Sequence, residues 1–416
     1  MIKTIHRSTI AGAVSAPPSK SLTQRAIAAA LLAPGKTVIS NPSFCNDSLA
    51  ALKMAEELGA SVSTGDDYIE VTGSSQALSE VFLNCGESGL ALRMFSPVAA
   101  RLSRTCILSG EGSLLKRPVS MITDALSQLG TSAESDRGFL PLTIKGYLKG
   151  GRIEIDGSSG SQILTGLLIA LPCAETDSEI NVLNLKSKPY IDLTLKLLED
   201  FGIYVENHGY RRFVIPGKQA YKARNYSVEG DWSGSSFLLV AGALAGEVRV
   251  TNLQQGSLQA DVAVIEALKL AGAEVVIESD SVTTAKRKLT SFDFDATDSP
   301  DLFPPLAALA SGCRGITRIK GVSRLEHKES NRAMTIAGVL NGLGIITRIS
   351  DDEMLIEGGK VTGSTVSSCD DHRIAMMASV TALTGHGSVT VTGAEAVSKS
   401  YPEFFDDLSE LGAKIS

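Results

Sequence analysis

The sequence predicts an α/β protein of two domains, each made of three repeats of strand–helix–strand–helix–strand–strand. Three observations carry this. A Gly-centred turn recurs as Leu58-Gly59-Ala60, Leu129-Gly130-Thr131, Phe201-Gly202-Ile203, Ala271-Gly272-Ala273, Leu343-Gly344-Ile345 and Leu411-Gly412-Ala413, at spacings of 71, 72, 70, 72 and 68 residues. Each glycine ends an amphipathic helical stretch, and strand-like alternation follows the first five. The same period separates six places where an Ala/Leu-rich helix gives way to a strand, at 37–39, 105–108, 179–182, 247–250, 315–319 and 388–391. The sixth unit is cut short just after Gly412, while Met1 to Ala16 reads as strand with no helix before it. The N-terminal segment is therefore expected to complete the sixth unit.

That arrangement puts residues 19–228 in one domain, and 1–18 plus 229–416 in the other. The chain crosses twice, near Pro17-Pro18 and near Val228-Glu229-Gly230. Two short linkers make a hinge, and a hinge is a usual place for a small ligand.

Composition narrows the partners. A chain of 416 residues with 43% hydrophobic content can build real cores. A net charge of −7 argues against nucleic acid as the main partner but allows a local basic pocket. The six cysteines form no CxxC pair, which reads as reduced thiols in a cytoplasmic protein. Residues 1–7 hold no apolar run of the signal-peptide kind. The longest apolar run, 163–174, is broken by Thr165, Gly166 and Pro172 and falls short of the roughly 20 apolar residues a membrane span needs. No nucleic-acid or membrane partner is expected.

The chemistry concentrates where helices begin. After Pro17-Pro18 forbid helix, a helix opens near Lys20-Ser21, with Ser21 and Gln24 spaced as a capping box and Ala26 to Leu32 a strong helix-forming run. Unpaired N–H groups there attract anions, and Lys20 and Arg25 flank the start. Cys85-Gly86-Glu87-Ser88-Gly89 opens another helix, one turn before Arg93. Arg117 sits in the loop of Lys116-Arg117-Pro118. Ser158-Ser159-Gly160-Ser161-Gln162 and Ser187-Lys188-Pro189-Tyr190 add hydroxyls and an amide at two further starts. Each motif alone is equally well read as an ordinary capped helix. Later, Ser299-Pro300-Asp301 places one carboxylate at a helix start. Lys328-Glu329-Ser330-Asn331-Arg332 puts like charges at i and i+4, the wrong sign for a helix pair and suggestive of a shared anion. Asp371-His372-Arg373 stands at the mouth of an apolar helix, and Lys399-Ser400-Tyr401-Pro402 ends the series.

Taken together and in this order, these motifs resemble the set of the 5-enolpyruvylshikimate-3-phosphate synthase family over essentially the whole chain. The resemblance implies two inside-out α/β domains, each of three βαβαββ units. It implies transfer of the enolpyruvyl group of phosphoenolpyruvate to the 5-hydroxyl of shikimate 3-phosphate, with release of phosphate, in aromatic amino acid biosynthesis. No metal or organic cofactor is required, a monomer is expected, and glyphosate is an expected inhibitor. By resemblance, shikimate 3-phosphate meets Lys20, Ser21, Arg25, Ser159, Ser161, Gln162, Ser187, Tyr190, Asp301 and Lys328. Phosphoenolpyruvate meets Lys20, Gly89, Arg117, Gln162, Arg332, Arg373 and Lys399. Asp301 is the implied base, and Glu329 with Lys20 the implied acid and proton carrier. The residue types suit this, since a small phosphate-carboxylate substrate needs several cations and arginine favours bidentate contacts.

Some positions depart from the family's pattern. Glu87 stands where asparagine is common, Leu90 where threonine is common, Gly160 where a serine is usual and Asn331 where aspartate is common. A sister family that moves enolpyruvate onto UDP-N-acetylglucosamine usually carries a catalytic cysteine where this chain has Gly112-Ser113-Leu114-Leu115. A non-catalytic anion-binding relative would be expected to lose Asp301, Glu329 or Lys399, and all three are present. An RNA 3′-phosphate cyclase would want a basic surface.

Overall fold

A computed structural model describes residues 1–73 and 77–416. The chain divides into two compact units, Pro18–Val228 and Met1–Pro17 with Glu229–Ser416, so Pro18 goes with the residues that follow it rather than with the N-terminal segment. Each unit has its own hydrophobic core.

Among the described residues of Pro18–Val228 there are three four-stranded sheets of one topology. Leu78–Asn84 pairs parallel with Ser103–Ser109, which then pairs antiparallel with Phe139–Lys145 of the hairpin Ser132–Asp136/Phe139–Lys145. Arg152–Asp156, Ser178–Leu183 and the hairpin of Glu206–His208 and Arg212–Ile215 repeat the pattern. The remaining sheet, of Gly35–Ser40, Ser61–Thr64 and Tyr68–Gly73, takes its first strand from the far end of the unit, where Asn225–Ser227 pairs parallel with Gly35–Ser40. A parallel partner needs a crossover rather than a turn, so no local signal announces this closure.

The other unit also has three sheets. Ile2–Ile5 runs antiparallel to Val389–Thr392, and Ile5 bridges Ile415, so the N-terminus does complete the sixth repeat. Only this short piece does so. Ile10–Ser15 instead pairs parallel with Gly246–Thr251 and opens the fourth repeat, which refines the expectation for residues 1–16. Strand-like sequence does not say which edge it will join, and this partner lies more than two hundred residues away.

Three helices in each unit are buried all round: Lys20–Leu32, Gly89–Leu102 and Gln162–Ala170 in one, Trp232–Ala245, Phe303–Ser311 and His372–Ala382 in the other. Their Ala, Gly and Leu content has no polar face to turn outward. The intervening helices, such as Asn46–Glu57 and Lys188–Asp200, bury one face only. Sheets alternate buried and exposed residues, as along Phe139–Lys145, so one face meets the core and the other solvent. Among the described residues no helix is long and apolar enough to cross a membrane.

Close helix contact in the first core depends on Gly166. A Cβ there would lie 2.7 Å from the Arg93 carbonyl oxygen and 2.8 Å from Met94 Cα. Backbone atoms cannot rotate away as a side chain can. Helix propensity alone predicts that Gly166→Ala stabilises by about 1 kcal/mol. Packing predicts the reverse, a loss of about 1–3 kcal/mol. Urea unfolding of the variant decides the sign, and a stabilised variant would show that the two helices can part at no cost.

Candidate active site

The first helix starts earlier than a Ser21–Gln24 box would require. Ser19 is the cap and accepts from Leu22 N–H, while Thr23 Oγ1 donates to Ser19 carbonyl at 2.9 Å. Ser21 and Gln24 therefore lie within the helix, because Pro18 ends the extended segment directly before Ser19. Lys20, in the first turn, reaches Asp47 Oδ2 at 2.9 Å, with the two side chains 14% and 11% exposed. Arg25 is buried and donates to Thr194 Oγ1 at 3.0 Å and to Ser21 carbonyl at 2.8 Å. Burial pulls Arg25 down to about 10, against the opposing effect of Tyr190 and Tyr226, so it remains a cation at neutral pH.

Two more buried helices begin beside it. Ser88 caps Gly89–Leu102 by accepting from Ala91 N–H at 3.2 Å, and its hydroxyl lies 3.4 Å from Gln24 Oε1. Arg93 donates to Gln162 Oε1 at 3.1 Å and to Gly89 carbonyl at 3.2 Å. Thr165 and Thr194 hydroxyls stand 3.3 Å apart, with Arg25 donating to the latter. Polar contacts thus link the three helix beginnings pairwise. Arg117 is buried after the short turn Gly112–Lys116, close enough to Gly89 that a Cβ there would lie 2.6 Å from its Nη1. Ser161 is buried at the position before Gln162, and Ser159 is exposed. Ser187 is buried before Lys188–Asp200 with φ 59°, a left-handed conformation that a serine holds only when its surroundings impose it, and Tyr190 is half-buried one turn later.

The other unit gathers the later motifs around one guanidinium. Arg332 is the first residue of a helix capped by Asn331, and its side chain is 1% exposed. It donates through Nε to Asp371 Oδ2 at 2.9 Å and through Nη2 to Asp371 Oδ1 at 3.1 Å, a bidentate fork. Nη1 reaches Asp301 Oδ1 at 2.8 Å, and Nη2 also donates to Glu329. Lys328 Nζ meets the same Asp301 oxygen at 3.2 Å, and Arg373 Nη2 lies 3.4 Å from Asp301 Oδ2. The shared anion suggested by like charges at 328 and 332 is, in this structure, the chain's own Asp301. Residues 328–330 precede the helix rather than lying on its face. Lys399 is buried, with Nζ donating to Asp370 carbonyl at 2.7 Å.

Charges set the protonation states. Burial by itself would raise the Asp301 carboxyl, but Arg373, Lys328 and Arg332 together hold it well below the usual carboxylate range. Lys328 is lowered by burial, with Asp301 opposing. Burial would also lower Arg332, yet Asp371, Glu329 and Asp301 more than reverse this and raise it. Asp301 makes no helix-capping bond, although it sits in the turn Pro300–Leu302 ahead of Phe303–Ser311. Its carboxylate is committed to cations instead.

Three residues matter more than sequence reasoning assigned. Asp47 is the partner of Lys20, Arg93 joins Gly89 to Gln162, and Asp371 orients Arg332. An acid in the first turn of a helix was visible for Asp47, but nothing local tied it to Lys20. Among the described residues no group of His, Cys, Asp and Glu is arranged to hold a metal ion.

The buried helix starts of Pro18–Val228 present cations and hydroxyls, the other unit sets cations about the strongly ionised Asp301, and each lies on the fold of the enolpyruvyl transferases. A solved enolpyruvyl transferase from Streptomyces tendae matches with a TM-score of 0.81 over 100% of this chain and 98% of that one, at 19% identity, a likeness of fold alone. The chain belongs to the EPSP synthase (3-phosphoshikimate 1-carboxyvinyltransferase) family, whose profile matches residues 5–408. A 3-phosphoshikimate 1-carboxyvinyltransferase from Methanocorpusculum labreanum is 38% identical over 99% of this chain and 98% of its own length. The solved EPSP synthase from Acinetobacter baumannii matches with a TM-score of 0.82 at 25% identity, over 100% of this chain and 99% of that one.

The lowered Asp301 carboxyl has a consequence for stability. An acid depressed in the folded state contributes stability that is complete above its unfolded value, about 4, and is lost as pH falls through the folded value. Asp301→Asn leaves Lys328, Arg332 and Arg373 without that charge and should cost about 1–3 kcal/mol at neutral pH. Urea unfolding at a series of pH values should show the gap between native and variant constant from pH 7 to about 4 and closing below that. A gap that closes between pH 8 and 5 would assign the effect to another group.

Proposed function

We propose that this chain moves the enolpyruvyl group of phosphoenolpyruvate onto the 5-hydroxyl of shikimate 3-phosphate, releasing phosphate, with residues of both units in the roles that follow. The observation that carries the reading is the Asp301 carboxylate, ionised and aimed by Lys328, Arg332 and Arg373 at a buried helix start.

In the addition step the hydroxyl oxygen bonds to C2 of phosphoenolpyruvate, its proton passes to a base, and C3 gains a proton from an acid. In the elimination step the C2–O bond to phosphate breaks and C3 returns a proton. Asp301 takes the hydroxyl proton. With three cations about it, Asp301 is a carboxylate at neutral pH but a weak base. Phosphoenolpyruvate on Arg332 and Arg373 neutralises two of those cations, so substrate binding itself raises the proton affinity of Asp301. Glu329, held by Arg332, and Lys20, held by Asp47, carry protons to and from C3. Arg117, Arg332, Arg373 and Lys399, with Gln162 and the Gly89 backbone, take the phosphate and carboxylate. Ser159, Ser161, Gln162 and Ser187 take the phosphate of the second substrate. Lys20, Ser21, Arg25, Tyr190 and Lys328 take its ring oxygens and carboxylate. These pre-aimed dipoles and charges lower the barrier where charge develops on the reacting carbon.

The direct experiment is phosphate release on mixing with phosphoenolpyruvate, with shikimate 3-phosphate and UDP-N-acetylglucosamine offered separately. Release is expected with the first only. Asp301→Asn should then lose roughly 10²–10⁴-fold in kcat, with a much smaller change in the shikimate 3-phosphate Kd. Near-native turnover would remove Asp301 from the mechanism and leave Glu329 as the carboxylate to test.

Gly89→Ala probes the anion pocket. The added methyl would meet Arg117 Nη1 at 2.6 Å and Arg93 Nη1 at 2.9 Å, both the far ends of flexible side chains. The fold should survive with displaced guanidinium groups. Phosphoenolpyruvate binding should weaken by about 1–3 kcal/mol while shikimate 3-phosphate binding holds, as titration calorimetry would record. The reverse pattern would move Gly89 out of the phosphoenolpyruvate pocket.

A further inference from the structure

We propose that Glu87 is a positioning residue, which sets the loop carrying Arg117 against the start of the helix Gly89–Leu102. The proposal rests on the reading of Arg117 given above.

Two loops meet here and are stapled along their backbones. Glu111 N–H donates to Gly86 carbonyl at 2.7 Å. Asn84 donates through Nδ2 to Glu111 Oε1 at 2.8 Å and accepts from Gly86 N–H at 2.9 Å. The Glu87 carboxylate then extends the staple toward Arg117. Its Oε2 accepts from Ser113 N–H at 2.9 Å, and the Ser113 hydroxyl accepts from Arg117 Nη2 at 3.3 Å. Gly112 shows how closely the carboxylate is fitted. A Cβ at that position would lie 2.3 Å from Glu87 Oε2 and 2.4 Å from Cδ and would push the carboxylate aside, and φ is 51°, a conformation that favours glycine.

Arg117 is buried, and its geometry over Gly89 is set by the turn Gly112–Lys116 that Glu87 anchors. A carboxylate accepting from a backbone N–H is among the stronger hydrogen bonds, and it fixes the donor's loop as well as its atom. An asparagine at 87 would be shorter by one methylene, about 1.5 Å, and would not reach Ser113 N–H. The glutamate at this position therefore works as a latch on the cation that follows it by thirty residues, rather than as a contact to substrate.

The test uses the 416-residue chain in five variant forms: Glu87→Ala, Glu87→Asn, Glu87→Gln, Arg117→Ala and the double variant Glu87→Ala/Arg117→Ala. Hydrogen–deuterium exchange of the segment 111–117 reads the latch without reference to turnover. It should quicken about tenfold in the Ala and Asn variants and return to the native rate in Gln, which keeps an acceptor oxygen at the same reach. Steady-state kinetics should show the phosphoenolpyruvate KM rising about tenfold in the Ala and Asn variants, with the shikimate 3-phosphate KM within twofold and the Gln variant near native. On the Arg117→Ala background, Glu87→Ala should add nothing. Unchanged exchange over 111–117, or effects of Glu87→Ala and Arg117→Ala that simply add, would overturn the proposal. A native protein that shows no carboxyvinyl transfer, with exchange responding as stated, would sink the functional reading and leave the latch standing.

Discussion

A guanidinium with almost no solvent exposure, Arg332, dictates the arrangement of the unit that holds it. Taking such a charge out of water costs several kcal/mol unless its donors are met with good geometry. Asp371 meets two of the guanidinium's five N–H groups as a fork, and Asp301 and Glu329 meet one each. These partners come from three different stretches of chain. Pairing them therefore holds the turn 300–302, the loop 328–331 and the starts of the helices Arg332–Gly342 and His372–Ala382 in one geometry. A buried ion network of this kind contributes less to net stability than to fixing where its members sit. For the role of base proposed for Asp301, that fixing is the useful property.

The unit Pro18–Val228 solves the same problem with weaker bonds. Its three buried helices carry cations and hydroxyls at their beginnings, where unpaired N–H groups already favour anions. Gln24 with Ser88, Arg93 with Gln162, and Arg25 with Thr194 tie those beginnings together. Among the described residues Asp47 is drawn in to Lys20 and Glu87 to the loop before Arg117, fewer carboxylates than the four cations Lys20, Arg25, Arg93 and Arg117. The imbalance leaves more positive charge than negative at the helix starts, which suits a site for phosphate and carboxylate groups.

Much of this was legible before any coordinates. A hydrophobic period that switches from helix to strand every 70 or so residues is a local signal, and the turns at Gly59, Gly130, Gly202, Gly272 and Gly344 each adopt the positive φ that a C-capping glycine permits. The motif residues were recognisable because their types, lysine and arginine next to serine and glycine at helix starts, carry a chemical meaning in themselves. What misled was fine position. Ser21 looked like a cap because of Gln24, but the proline before Ser19 starts the helix two residues sooner. Asp301 could be placed at a helix start, but its three cationic partners, Lys328, Arg332 and Arg373, come from other stretches that local pattern does not link to it.

The sequence by itself determined the repeat, the six turn glycines, the apolar helices that must be buried and the list of charged residues, because each depends on neighbours a few positions away. Only the tertiary structure decided which strand joins which edge, as when Ile2–Ile5 and Ile10–Ser15 part to different sheets and Asn225–Ser227 closes the sheet begun at Gly35. It also decided the partners of each charge: Asp47 for Lys20, Asp371 for Arg332, and Ser113 N–H for Glu87. Strand edges and charged groups are satisfied by whatever the fold brings within about 3 Å, and that neighbour is set by chain crossings hundreds of residues long rather than by local pattern.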